Sequence, residues 1–230
     1  LLMAIVIGLY LYDSTLLLYC NEGILIPRGK KGWSVHFGFD NARILGKDVF
    51  IPNPFLPHRP LFRLSWKFDG NSSEEDENWE ARKNAFGPMA PMVWGMAVGL
   101  FVLLPLGLFT RLGDRMLLLA ILLLYLNIIA ALLWLWGNRA AFDLSRKRFV
   151  ALAFEFLICS PFALNLIRTV SVGMPAKEDL VNASRRLQRP DDWNATRMTI
   201  IARLDEEIEG DEYGSERVTA LLKHRRKLTG

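Results

Sequence analysis

Apolar residues fill three long runs, Pro88 to Thr110, Met116 to Gly137 and Phe149 to Ile167, separated only by short basic loops. A helix rises ~1.5 Å per residue, so each run approaches the length that crosses a hydrocarbon core of ~30 Å. A fourth run, Leu1 to Cys20, opens the chain and is apolar except for Asp13, Ser14 and Thr15. The pattern predicts a mainly α integral membrane protein with about four transmembrane helices. Two readings of the first run compete. In one, Leu1 to Cys20 is a whole spanning helix with Asp13 inside it. In the other, the helix ends near Tyr12, and Leu16 to Tyr19 and Ile24 to Pro27 form a hairpin around Asn21, Glu22 and Gly23. The run lacks the basic leading region of a cleaved signal peptide.

The period changes from helical to alternating after this helix. Trp33, Val35 and Phe37 alternate with Ser34, His36 and Gly38, and Ile44 to Ile51 reads as a hairpin turning at Gly46 and Lys47. In Leu61 to Phe68 the bulky Phe62, Leu64, Trp66 and Phe68 occupy every second position. The expected product is a small antiparallel β-rich insertion over 21–68, too small to bury much core alone and so leaning on the membrane or on a partner. Within it, four prolines between Pro52 and Pro60 exclude helix or central strand, because proline fixes φ and removes a donor. This stretch is an extended arm carrying Phe55, His58 and Arg59, either a rigid connector or a partner-contact element.

Residues 69–87 read as an acidic linker, with Glu74, Glu75, Asp76 and Glu77 in a row, followed by an interfacial lead-in of Trp79, Arg82, Lys83 and Phe86. The three-helix membrane region is then 88–170. The tail, 171–230, predicts two or three short helices. Pro190 interrupts it, Trp193, Ile200, Ile201, Leu204 and Ile208 share one side, and Gly210 and Gly214 bracket a turn. A final amphipathic helix ends in Lys223, His224, Arg225, Arg226 and Lys227.

Composition agrees with alternating membrane and water-exposed parts, being 51% hydrophobic and 23% charged. The formal net charge of +4 is spread through loops and helix ends, so nucleic acid is not an expected partner. Near the span ends, Arg82, Lys83, Arg139, Arg146, Lys147 and Arg148 outnumber Arg111, Arg115, Arg168 and Lys177. The positive-inside bias then places the β-rich region in the cytoplasm, with the tail on the opposite side.

Polar residues within the runs carry the candidate chemistry, because a carboxyl group in hydrocarbon costs at least ~2.5 kcal/mol unless protonated or paired. Asp13 and Glu155 would lie at matching depth if the first helix ran to Cys20. Asn127, with Ser14 and Ser160, would complete an intramembrane polar cluster able to share a proton or pass a cation. Snorkelling of Glu155, a hydrogen bond to Asn127, or pairing with Arg146 or Arg148 in the loop is the commoner explanation, with the polar residues serving helix packing or a partner contact. Gly95 and Gly99 mark a close helix-packing face. Cys20 and Cys159 lack the spacing of a metal pair, and His36, His58 and His224 lie in three remote elements. No metal, cofactor or catalytic motif emerges, and the sequence resembles no family closely enough to transfer residues. The expected partners are the lipid bilayer and a protein, with a homo-oligomer as a further option. The leading function is a bacterial inner-membrane interaction or accessory protein, for example an immunity protein against a membrane-acting toxin. The alternative is a small channel or transporter subunit using Asp13 and Glu155.

Overall fold

The computed structural model describes residues 1–29, 32–67, 77–111, 113–210 and 216–229. The chain folds as two compact units that cut across the sequence-based divisions. One comprises Leu1–Thr15, Ile51–Pro60 and Trp79–Met174; the other comprises Leu16–Phe50, Leu61–Asn78 and Pro175–Gly230.

In the first unit, helix α1 (Leu2–Ser14) ends where Ser14 and Thr15 turn their hydroxyls back onto Leu11 O, at 2.9 and 2.8 Å, and Thr15 adopts extended geometry. Leu1 to Cys20 is therefore not one helix, since Leu16–Leu18 is already a strand. The second apolar run is a helical segment over Trp79–Phe109, comprising α2 (Trp79–Ala85), a 3₁₀ turn, α3 (Ala90–Val98), a π turn at Gly99–Leu103 and α4 (Leu104–Phe109). Pro105 cannot donate to the ladder, and the wider π turn immediately before α4 accommodates the missing bond without ending the helix. Helix α5 (Gly113–Gly137) follows. These two segments are long and apolar enough to cross a membrane. Much of their apolar surface faces outward, including Leu118 and Leu133.

The third run breaks into α6 (Arg146–Ile158), α7 (Ser160–Ala163) and α8 (Leu166–Val172). The chain leaves helical geometry at Cys159, with φ −116° and ψ 81°, and Pro161 fits the start of the next helix, where its missing N–H costs nothing. No single span covers Phe149 to Ile167. Ser145 caps α6 by accepting from Arg148 N at 3.2 Å.

Among the described residues the second unit holds six short strands: β1 (Leu16–Leu18), β2 (Glu22–Pro27), β3 (Trp33–His36), β4 (Phe39–Ile44), β5 (Lys47–Phe50) and β6 (Phe62–Ser65). They form two antiparallel three-stranded sheets, ordered β1-β5-β4 and β3-β2-β6. The hairpin expected between Leu16–Tyr19 and Ile24–Pro27 does not form, because β1 pairs with β5 while β2 pairs with β3 and β6. The β4–β5 turn lies one residue earlier than the sequence suggests. Ile44 pairs with Lys47, and Leu45 and Gly46 both take positive φ, as a two-residue turn matched to strand twist requires.

The tail completes this unit as α9 (Leu180–Leu187), α10 (Pro190–Gly210) and α11 (Glu216–Thr229). Leu180 approaches Gly23 so closely that a Cβ there would lie 3.0 Å from Leu180 Cδ2, which explains glycine in mid-strand. Trp33, Phe62, Leu64 and Trp66 from the sheets, with Leu180, Ile200, Leu204 and Leu221 from the helices, are fully buried. The tail thus supplies the core that the strands alone lack. A buried ion pair ties the two together: Arg203 lies 2.8 Å from Asp48, donates to Cys20 O at 3.0 Å and stacks over Phe37. Arg43 joins it, bonding Asp48 at 2.9 Å and Glu206 at 2.7 Å. The β strands and the tail, which the sequence reading set apart, build one folded unit. Glu77 is buried and its N–H donates to Glu178 at 3.2 Å; the rest of the acidic run and Gly214 lie outside the described residues.

Candidate functional site

The densest polar constellation of the first unit centres on Arg168 in α8, which is 4% exposed. Asn165 and Arg168 stand three residues apart and so share a helix face. From it, Asn165 Nδ2 donates to Asp13 Oδ2 at 2.8 Å and to Tyr10 O at 3.1 Å, binding the last turn of α1. Arg168 Nη1 donates to Asn165 Oδ1 at 3.1 Å and to the Tyr10 hydroxyl at 3.3 Å. Its Nη2 reaches the proline-rich arm, donating to Asn53 O at 2.6 Å and Leu56 O at 3.0 Å.

Those two carbonyls also close the arm's own turns, accepting from Leu56 N and Arg59 N, each at 3.2 Å. Tyr10 adds a third tie through its hydroxyl to Pro54 O at 2.6 Å. A planar guanidinium suits this task because its rigid fork presents several donors at once. Phe55, at the tip of the clamped arm, is 82% exposed.

The structure brings only some of the sequence candidates together. Glu155 lies within electrostatic reach of Asp13, but its side chain is exposed while Asp13 is half-buried against Asn165. Asn127 sits elsewhere: its Nδ2 donates to Leu123 O at 2.7 Å, and its amide fills the space left by Gly95, where a Cβ would lie 2.5 Å from Oδ1. Gly99 faces Ala120 O and Leu124 of the same helix α5. The glycines therefore pack α3 and its π turn against α5 within one chain. On the arm, His58 packs on Trp94 with ring centroids 5.3 Å apart. Arg59 is half-buried.

Tyr10 and Asn165 carry no mark in the sequence pattern, and Arg168 counts there only among the cations near a span end. The usable signal was an Asn and an Arg three positions apart at the end of an apolar run, able to act from one helix face. Among the described residues no group of three or more His, Cys, Asp or Glu side chains could hold a metal ion. Comparisons with protein-family models, with curated proteins and with solved structures match nothing.

Proposed function

We propose that this is a multi-pass membrane interaction protein, in which the first unit anchors the chain in the bilayer and presents Phe55 to a protein partner. The observation that carries the reading is the clamp. A buried arginine and a buried tyrosine hold three carbonyls of an arm whose tip leaves a large aromatic ring in the open. Rigid, exposed aromatics are favoured binding anchors, because little conformational freedom is lost when they are covered.

Two membrane crossings, by Trp79–Phe109 and Gly113–Gly137, fit this arrangement better than four. Leu61–Asn78 and Pro175–Gly230 belong to one unit, so the chain between them makes an even number of crossings. On this reading α6, α7 and α8 enter the bilayer without traversing it. Arg82, Lys83, Arg139 and Arg146–Arg148 then face Arg111 and Arg115 across the membrane, and the positive-inside bias places the second unit in the cytoplasm of a bacterial cell. Protease tags inserted at Leu45, which is fully exposed in its turn, and after Thr229 should be accessible from the same face.

The deciding experiment places a photo-crosslinking amino acid at position 55 in native membranes, with Leu118 as the control position. A discrete protein adduct at 55 alone, whose protein co-purifies with the wild type and is lost with Phe55→Ala, supports the reading; lipid adducts at both positions overturn it. An immunity role is the narrower form, and it requires protection from a membrane-acting toxin that Phe55→Ala abolishes. The closeness of Asp13 and Glu155 favours a second reading, a channel or transporter subunit. It requires Asp13→Asn and Glu155→Gln to abolish a flux at normal expression.

A further inference from the structure

The second unit contains a cavity of about 240 Å³ where α9, α10 and α11 meet the end of β6. Four permanent cations line it: Lys67, Arg185, Arg197 and Lys227. One carboxylate, Asp179, lies among them, and it is already engaged, accepting from Val181 N at 2.8 Å as the cap of α9 and from Lys67 N at 3.2 Å. The cavity wall therefore carries a formal excess of three positive charges, four cations less one carboxylate.

Several other charges of the unit are matched. Arg203 and Arg43 share Asp48, and Glu178, Asp205 and Glu207 pair with Arg186, Arg225 and Arg217. By contrast, none of Lys67, Arg185 and Arg197 makes an ion pair among the described residues. Arg197 adds a second, independent sign: its Nε is buried without a hydrogen-bond partner. A buried donor left without an acceptor destabilises the fold, and an acceptor entering the cavity would relieve that cost. Trp193 contributes a flat wall, and the buried His224 lines the same space.

We propose that this cavity binds a phosphate ester through Arg197, Arg185 and Lys67. Phosphate is the anion whose several oxygens suit two guanidinium forks and a lysine together. The volume lies below the ~300 Å³ at which drug-sized pockets begin, so the fit is to a phosphate with a small substituent rather than to a dinucleotide. Both a soluble metabolite and the headgroup of an anionic lipid offer that chemistry.

The test uses the full chain in neutral detergent and in nanodiscs. Isothermal titration with inorganic phosphate and glycerol 3-phosphate probes the soluble source. Retention of phosphatidic acid against phosphatidylcholine, read by native mass spectrometry, probes the lipid source. The wild type should bind at least one phosphate ester, at least tenfold more weakly in Arg197→Gln and in the Lys67→Gln, Arg185→Gln pair. Asp179→Asn, which keeps a capping side chain while removing the negative charge, should bind as tightly or more so. Thermal melting of each variant confirms that it folds. Binding by both classes of probe assigns the phosphate group alone; binding confined to phosphatidic acid assigns the lipid. No binding by any probe, or binding unchanged in folded Arg197→Gln, overturns the proposal.

Discussion

Replacing Arg168 by methionine should release the proline-rich arm while leaving the helices in place. The guanidinium makes its two shortest bonds to Asn53 O and Leu56 O, at 2.6 and 3.0 Å, and weaker ones to Asn165 and Tyr10. Bonds from a charged donor contribute about 1.5–3 kcal/mol each, so the two to the arm alone represent about 3–6 kcal/mol. Methionine escapes the cost of burying a charge, which offsets part of this loss. A net of ~3 kcal/mol remains, mostly as weakened attachment of the arm. At ~1.4 kcal/mol per factor of ten, the arm should open about 100-fold more often. Hydrogen exchange followed by mass spectrometry, on the full chain in detergent, reads this at the amides of Leu56 and Arg59, whose acceptors are the same two carbonyls. Amides in α5 serve as the internal control. Arg168→Lys keeps the charge but not the fork, and should fall between the two. Exchange in the arm within threefold of wild type in Arg168→Met would refute the clamp.

Gly95→Ala should destabilise the first unit by about 1–3 kcal/mol through overpacking against Asn127, and by much less in an Asn127→Ala background, where the amide is gone. Unfolding in a denaturing detergent titration measures the coupling, and equal costs in both backgrounds would sink the packing argument. In the second unit, the Arg43 guanidinium holds the Glu206 carboxyl below its ordinary value of 4.5. The pair is exposed, so it contributes under ~1 kcal/mol. A carboxyl whose folded value is depressed stabilises the fold above about 4.5 and loses that contribution as pH falls through the folded value. The melting difference between wild type and Glu206→Gln should therefore be present at neutral pH and vanish in acid; a difference that persists below the folded value would contradict it.

Local chemistry was enough to find most elements. The apolar runs Pro88 to Thr110 and Met116 to Gly137, the alternation at Trp33–Val35, the Gly46 turn and the amphipathic tail each encode their own structure, because period and turn residues act over a few positions. Gly95 and Gly99 announced a close approach, though not that its partner was α5. This inventory of elements, apolar helices included, is written in short stretches of chain. Tertiary structure alone decided their grouping. That strands β1–β6 fold with α9–α11 depends on Asp48 meeting Arg203 across 155 residues of chain, and on Leu180 closing over Gly23. That Arg168 grips the arm at 53–56 rather than water depends on the hydrogen bonds by which Asn165 and Arg168 tie the start of α8 to Tyr10 and Asp13 of α1. Such pairings arise from the burial of whole faces and the need to satisfy each buried charge, a condition on the folded chain that no local window of residues contains.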